Sequence, residues 1–104
     1  MKDKQNKFGL SDEDLKQIIK TLKQFSEIKE AIIFGSRAIY KYKPGSDVDI
    51  ALKGHIDSDL PYKLNSIFED SSLPYFFDII NYSSIENPDL KFHIDNYGKT
   101  LFKI

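Results

Sequence analysis

The sequence predicts a single α/β (α+β) domain in which a small mixed β-sheet is flanked by helices. The chain has 104 residues, enough for one hydrophobic core. Short apolar runs with strand character alternate with segments whose apolar residues recur at helical spacing, a pattern typical of such domains. Residues 1–10 are polar, so we expect a flexible N-terminus over 1–10 and a packed domain over 11–104.

The first predicted helix begins after Ser11. This serine can cap the helix, and the acidic residues that follow it complement the positive end of the helix dipole. Apolar residues then recur with a helical period at Leu15, Ile18, Ile19, Leu22 and Phe25. We expect this apolar face to pack on the sheet.

The first predicted strand, over about residues 30–35, ends in a glycine. Its core, Ala31-Ile32-Ile33-Phe34, is an apolar run typical of a buried strand. Gly35 has the conformational freedom that lets backbone approach a ligand. Ser36 then begins a short helix, predicted to reach about Tyr42, whose free N–H groups favour an anion. The turn at Gly35 and Ser36 is therefore a candidate phosphate-binding turn.

The second predicted strand, over residues 47–53, carries two aspartates after a turn at Pro44-Gly45-Ser46. Side chains alternate along a strand, so Asp47 and Asp49 share one face while the apolar residues between them face a core. Mg²⁺ relieves the repulsion between two such carboxylates and typically binds one or two of them together with substrate phosphates. A phosphate turn followed by this pair indicates a nucleoside triphosphate.

The third predicted strand, over residues 75–82, follows a helix from Leu60 to Phe68. Phe76, Asp78 and Ile80 share one of its faces. We expect Asp78 to lie among apolar side chains, where an unpaired carboxylate would be costly to bury. A metal ion at Asp78 would offset that cost.

The chain ends in a predicted helix and a short strand. Asn87 can cap the helix, Pro88 suits its first position, and Gly98 ends it. Thr100-Leu101-Phe102 predicts the last strand.

Two segments, Gly35-Ser36-Arg37-Ala38 and Pro44 to Ile50, resemble the signature of the DNA polymerase beta nucleotidyltransferase superfamily. The resemblance is in particular to its minimal nucleotidyltransferases, the MntA-like antitoxins that are paired with HEPN-type toxins. That family has a third aspartate in an apolar-Asp-apolar-apolar pattern, and Phe77-Asp78-Ile79-Ile80 fits it. In one departure, relatives commonly have Arg-Gly where this chain has Ile39-Tyr40.

The resemblance implies a nucleotidyltransferase fold and transfer of AMP from ATP to a tyrosine hydroxyl of a partner HEPN-type toxin, which would make this chain an antitoxin. It assigns Asp47, Asp49 and Asp78 as catalytic, metal-binding residues. The first two would bind the nucleotide's Mg²⁺, and Asp78 would join them on a second Mg²⁺, with Mn²⁺ able to replace it. The nucleotide-binding residues would be Gly35, Ser36, Arg37 and Ser46.

Two other functions stay open at this stage. The chain could be a small-molecule nucleotidyltransferase, although such enzymes usually have another domain, or a non-catalytic module that neutralises its partner by occlusion. Arg37, the only arginine, either contacts a phosphate or an aspartate of the site or lies on a helix surface. Neither His55 nor His93 is assigned to the site. The aromatic residues Tyr75, Phe76, Phe77 and Tyr82 fit a core better than a base-stacking platform.

Composition disfavours several other classes of protein. Fifteen basic and sixteen acidic residues give a net charge of −1, too weak a field for a direct nucleic-acid partner. Without cysteine, disulfides and thiolate metal sites are excluded. No apolar run reaches membrane-spanning length, so we expect a cytoplasmic protein with no membrane partner. We expect it to form a hetero-oligomer with its toxin, with Ile39, Tyr40 and Tyr42 as exposed apolar candidates for the contact.

Overall fold

The structure is a computed structural model that describes residues 8–104. Its helices are α1 (Asp12–Lys23), α2 (Leu60–Glu69) and α3 (Pro88–Tyr97), and its strands are β1 (Ile28–Phe34), β2 (Val48–Gly54), β3 (Phe77–Asn81) and β4 (Lys99–Lys103). The strands form one sheet in the order β3-β2-β1-β4. β1 is antiparallel to β2 and β4, whereas β2 and β3 are parallel. The predicted mixed sheet flanked by helices is therefore confirmed.

The sheet separates two apolar clusters. The larger cluster joins one face of the sheet to α1 and α2; it includes Ile18, Leu22, Val48, Ile50, Leu52, Leu64 and Phe68. The smaller cluster joins the opposite face to α3 and includes Ile32, Phe34, Ala51 and Ile94. Because side chains alternate along β2, Asp49 lies on the same face as Ala51, the face that α3 covers in part.

The helix ends agree with the capping residues read from the sequence. The Ser11 hydroxyl accepts a hydrogen bond of 3.0 Å from the Asp14 N–H at the start of α1. The Asn87 side chain accepts one of 2.9 Å from the Asp89 N–H at the start of α3, and Gly98 follows the last residue of that helix. These local hydrogen bonds fix where α1 and α3 begin.

One predicted helix is corrected by the structure. The helix predicted from Ser36 to Tyr42 is only a single 3₁₀ turn over Gly35–Arg37. Tyr40 has a φ of 62°, which is incompatible with a right-handed helix.

The packed part of the chain begins before residue 11. Phe8 and Leu10 are buried in the larger cluster. The rest of the predicted flexible segment, residues 1–7, lies outside the described residues. Within the part of the chain that the structure describes, no helix has the length and apolar character needed to cross a membrane.

Candidate active site

Gly35, which directly follows β1, lies against the side chain of Asp49 on β2. Phe34 pairs with Asp49 in the antiparallel ladder, so the turn after β1 passes directly beside that carboxylate. Gly35 has a φ of +75°, and a Cβ built there would lie 2.2 Å from Asp49 Oδ2. Glycine is therefore required at this position both for the backbone conformation and for the space next to Asp49.

The sheet register brings Asp78 beside Asp49. The two residues are partners in the parallel ladder of β2 and β3, so their side chains leave the same face of adjacent strands. Asp47 lies two residues before Asp49. Burial, together with repulsion from Asp78 and Asp47, raises the pKa of Asp49 to about 6, while the Arg37 charge acts in the opposite direction. The three carboxylates are thus close enough to interact electrostatically.

The three aspartates offer hard oxygen ligands to a divalent cation. Among residues 8–104, no three His, Cys, Asp or Glu side chains form a preformed metal-binding group. Mg²⁺ needs only one or two carboxylates when substrate phosphates and water complete its coordination. A cation would also relieve the repulsion that acts on Asp49. The residues therefore fit an Mg²⁺ ion that arrives with a nucleotide.

The surroundings of Asp78 differ from the prediction. The side chain is exposed, so the expectation that it lies buried among apolar neighbours is wrong. Phe77 and Ile79 pack into the larger cluster on the other face of the sheet, and Phe76 is 81% exposed. The argument for Asp78 as a metal ligand therefore depends on its position beside Asp49 and not on the cost of burial.

Arg37 is buried, with an exposed fraction of 2%, so the interpretation as a surface residue is wrong. Its Nη1 donates to the Phe8 carbonyl oxygen at 2.9 Å, and its Nη2 donates to the Ser46 carbonyl oxygen at 2.8 Å. The guanidinium also lies over the rings of Tyr42 and Tyr75. Arg37 thus links Phe8 to Ser46, the residue that precedes Asp47.

Ser46 is held within its own turn. Its hydroxyl accepts a hydrogen bond of 2.7 Å from the Lys43 N–H, while its carbonyl oxygen accepts from Arg37. The structure thus gives both Arg37 and Ser46 partners in the loop that leads to Asp47. These contacts position the carboxylate pair.

His93 is a site residue that the sequence reasoning missed. Its Nε2 accepts a hydrogen bond of 2.9 Å from the backbone N–H of Gly35. The imidazole also packs edge-on against Phe34 and beside Tyr97. Because 58 positions separate His93 from Gly35, no local pattern links the two residues. The only signal in the sequence was that His93 is adjacent to Ile94, the buried residue of α3.

The loop after the Gly35 turn exposes fewer apolar residues than expected. Tyr40 is 51% exposed and Ile39 is half-buried. Tyr42 packs against Gly9 and Arg37, so its ring stabilises the loop. Of the three candidates for partner contact, Tyr40 is the most exposed.

Comparison with known proteins decides the family. Residues 16–104 match the family model described as polymerase beta, nucleotidyltransferase. The chain belongs to this nucleotidyltransferase family. No curated protein gives a significant match.

Solved structures of toxin–antitoxin proteins share the fold. A toxin–antitoxin crystal structure with AMP-PNP matches with a TM-score of 0.74 and 23% identity, over 88% of this chain and 74% of that chain. The toxin–antitoxin MntA-HepT matches with a TM-score of 0.69 and 22% identity, over 90% and 74%. A tri-AMPylated Shewanella oneidensis HEPN toxin in complex with MNT antitoxin matches with a TM-score of 0.67 and 22% identity, over 88% and 71%. The predicted nucleotidyltransferase fold is thus confirmed.

Proposed function

We propose that this chain is an Mg²⁺-dependent nucleotidyltransferase that moves AMP from ATP to a tyrosine hydroxyl of a partner HEPN-type toxin in the cytoplasm, and so acts as an antitoxin. One observation carries the proposal: Gly35, Asp49 and Asp78 lie side by side across three strands of a nucleotidyltransferase domain. The turn that we assign to phosphate therefore lies against two interacting carboxylates. The two groups together suit a metal-bound triphosphate.

The proposed reaction exchanges one phosphorus–oxygen bond for another. The acceptor hydroxyl gives its proton to solvent and its oxygen bonds to the α-phosphorus; the bond from that phosphorus to the bridging oxygen breaks, and pyrophosphate leaves with the electron pair. Asp47 and Asp49 would hold Mg²⁺ on the phosphates, and Asp78 would contribute to a second ion. When bound, such ions neutralise phosphate charge and lower the pKa of the attacking hydroxyl.

Within the proposed phosphate turn, Gly35 has a different part from the other residues. The Gly35 N–H is already paired with His93. The first N–H groups of a helical turn have no partner within that turn. We therefore assign phosphate contacts to the Ser36 hydroxyl and to the N–H groups that follow Gly35, with Gly35 itself shaping the turn. Donors fixed in this way favour the charge that develops on the leaving pyrophosphate.

A protein acceptor fits the charge of the chain. The net charge of −1 does not favour nucleic acid as the acceptor. The HEPN toxin that is tri-AMPylated in one similar complex supplies the class of acceptor for this proposal.

A transfer assay tests the proposal. The chain is co-expressed with a HEPN-type toxin and given ATP labelled at the α-phosphate; we expect label on the toxin with Mg²⁺ and none with excess chelator. Asp49→Asn should abolish transfer. Asp70→Asn is the matched control, because Asp70 is an exposed aspartate at the C-terminal end of α2 and is not one of the three proposed ligands. Transfer that persists in chelator would contradict the metal mechanism, and neutralisation of the toxin by Asp49→Asn would favour occlusion.

A further inference from the structure

A cavity of about 560 Å³ lies next to Asp78, on the outer side of the edge strand β3. Its apolar wall includes Pro61, Tyr62, Ile80, Ile85 and Leu90. Asp78 and Glu86 contribute its charged groups, and both are acidic. The volume and the mainly apolar wall are typical of pockets that bind small ligands, which measure roughly 300–1,000 Å³.

The order of the strands relates this cavity to the proposed reaction. Gly35 follows β1, Asp49 lies on β2, Asp78 lies on β3, and the cavity lies beyond β3. In phosphoryl transfer the attacking and leaving oxygens are roughly in line with the phosphorus. If pyrophosphate leaves toward the Gly35 turn, the attacking hydroxyl must approach from the β3 side. The cavity is on that side.

We propose that this cavity binds the acceptor tyrosine. The ring packs against the apolar wall, and the hydroxyl reaches Asp78. The carboxylate of Glu86 in the cavity wall repels phosphate groups, which favours the triphosphate on the Gly35 side. This inference rests on the proposed function, because it assigns the acceptor site of the same reaction.

Binding to the cavity can be measured without any transfer. N-acetyl-L-tyrosinamide is titrated into the ¹⁵N-labelled chain with Mg²⁺ and AMP-PNP present. We expect saturable amide shifts at Tyr62, Asn65 and Ser84, and their loss in Ser84→Trp, which fills the cavity. Ser26→Trp is the matched control, because Ser26 is exposed between α1 and β1 and is not in the cavity wall. Shifts that persist in Ser84→Trp, or shifts at these residues caused by AMP-PNP alone, would overturn the inference.

Transfer kinetics separate this inference from the proposed function. With a HEPN-type toxin as acceptor, Tyr62→Ala should raise the KM for toxin about tenfold and leave the KM for ATP unchanged. Phe92→Ala is the control, since Phe92 is an exposed aromatic residue of α3 outside the cavity wall. An unchanged KM for toxin in Tyr62→Ala overturns this inference but leaves the proposed function intact. Absence of transfer by the unaltered chain overturns the proposed function, while the titration still decides whether the cavity binds a tyrosyl ring.

Discussion

The imidazole of His93 accepts a 2.9 Å hydrogen bond from the backbone N–H of Gly35. The accepting Nε2 must carry a lone pair, so the ring is neutral with its proton on Nδ1. The contact fixes the turn at Gly35 to α3 and occupies the N–H of the first residue in the proposed phosphate turn. His93 therefore positions the turn without needing to touch the nucleotide.

The first prediction concerns His93. His93→Ala leaves the Gly35 N–H without its partner, so we expect the KM for ATP to rise about tenfold, equivalent to ~1.4 kcal/mol. His93→Gln should recover most of this loss, because its side-chain oxygen can accept the same hydrogen bond. His55→Ala is the control, since His55 is exposed in the loop after β2. If the KM for ATP is the same in His93→Ala and His55→Ala, the positioning role is refuted.

The second prediction compares two glycines. Gly35→Ala places a Cβ 2.2 Å from Asp49 Oδ2 in a backbone with φ of +75°, so we expect loss of transfer and a fall of about 1–3 kcal/mol in the free energy of unfolding. Gly45→Ala should change neither, because a Cβ there meets no atom within 4 Å. Urea unfolding and the transfer assay measure both effects. Equal transfer and equal free energies of unfolding in the two variants would show that Asp49 can move away from the turn without cost.

Local sequence patterns predicted much of this site because they act over a few residues. The Ser11 and Asn87 caps and the alternation along β2 each depend on neighbours within one turn or one pleat. The spacing of Gly35 and Asp49, together with the family resemblance, located the carboxylates. The ladder then confirmed that Asp78 lies beside Asp49.

Contacts between distant segments could not be predicted in the same way. The burial of Phe8 and the hydrogen bond from Arg37 to its carbonyl join parts of the chain that share no periodicity. The same is true of His93 and Gly35. The positive φ of Tyr40, which limits the helix predicted after the turn, is not favoured by its residue type.

The third prediction is a dependence of stability on pH. The pKa of Asp49 is about 6 in the folded chain and 3.8 for an unperturbed Asp, so the folded state binds more protons between these values. The contribution of Asp49 to stability is therefore fully present below pH 3.8 and is lost as the pH rises through about 6. In chelator at neutral pH, Asp49→Asn should be more stable than the unaltered chain by about 1–2 kcal/mol, allowing for solvent screening.

Urea unfolding of both proteins at about pH 4 and pH 7 measures this difference. The advantage of Asp49→Asn should shrink at the lower pH, where Asp49 is protonated and the repulsion from its neighbours no longer acts on it. An advantage of equal size at both values would mean that the carboxylate charge is not its cause.

The last prediction separates the three aspartates by role. If Asp47 and Asp49 bind the metal of the nucleotide while Asp78 serves mainly the second ion, Asp78→Asn should keep most of the affinity for Mg²⁺-ATP yet lose transfer. Asp47→Asn should lose both, because the nucleotide's ion then lacks one of its two protein ligands. Calorimetric titration of Mg²⁺-ATP and single-turnover transfer assays measure the two properties separately. Asp78 is exposed, so its substitution should leave the fold intact, and a loss of transfer would not result from unfolding. Near-normal transfer by Asp78→Asn would remove Asp78 from the catalytic site and leave the pairing with Asp49 as a feature of the sheet alone.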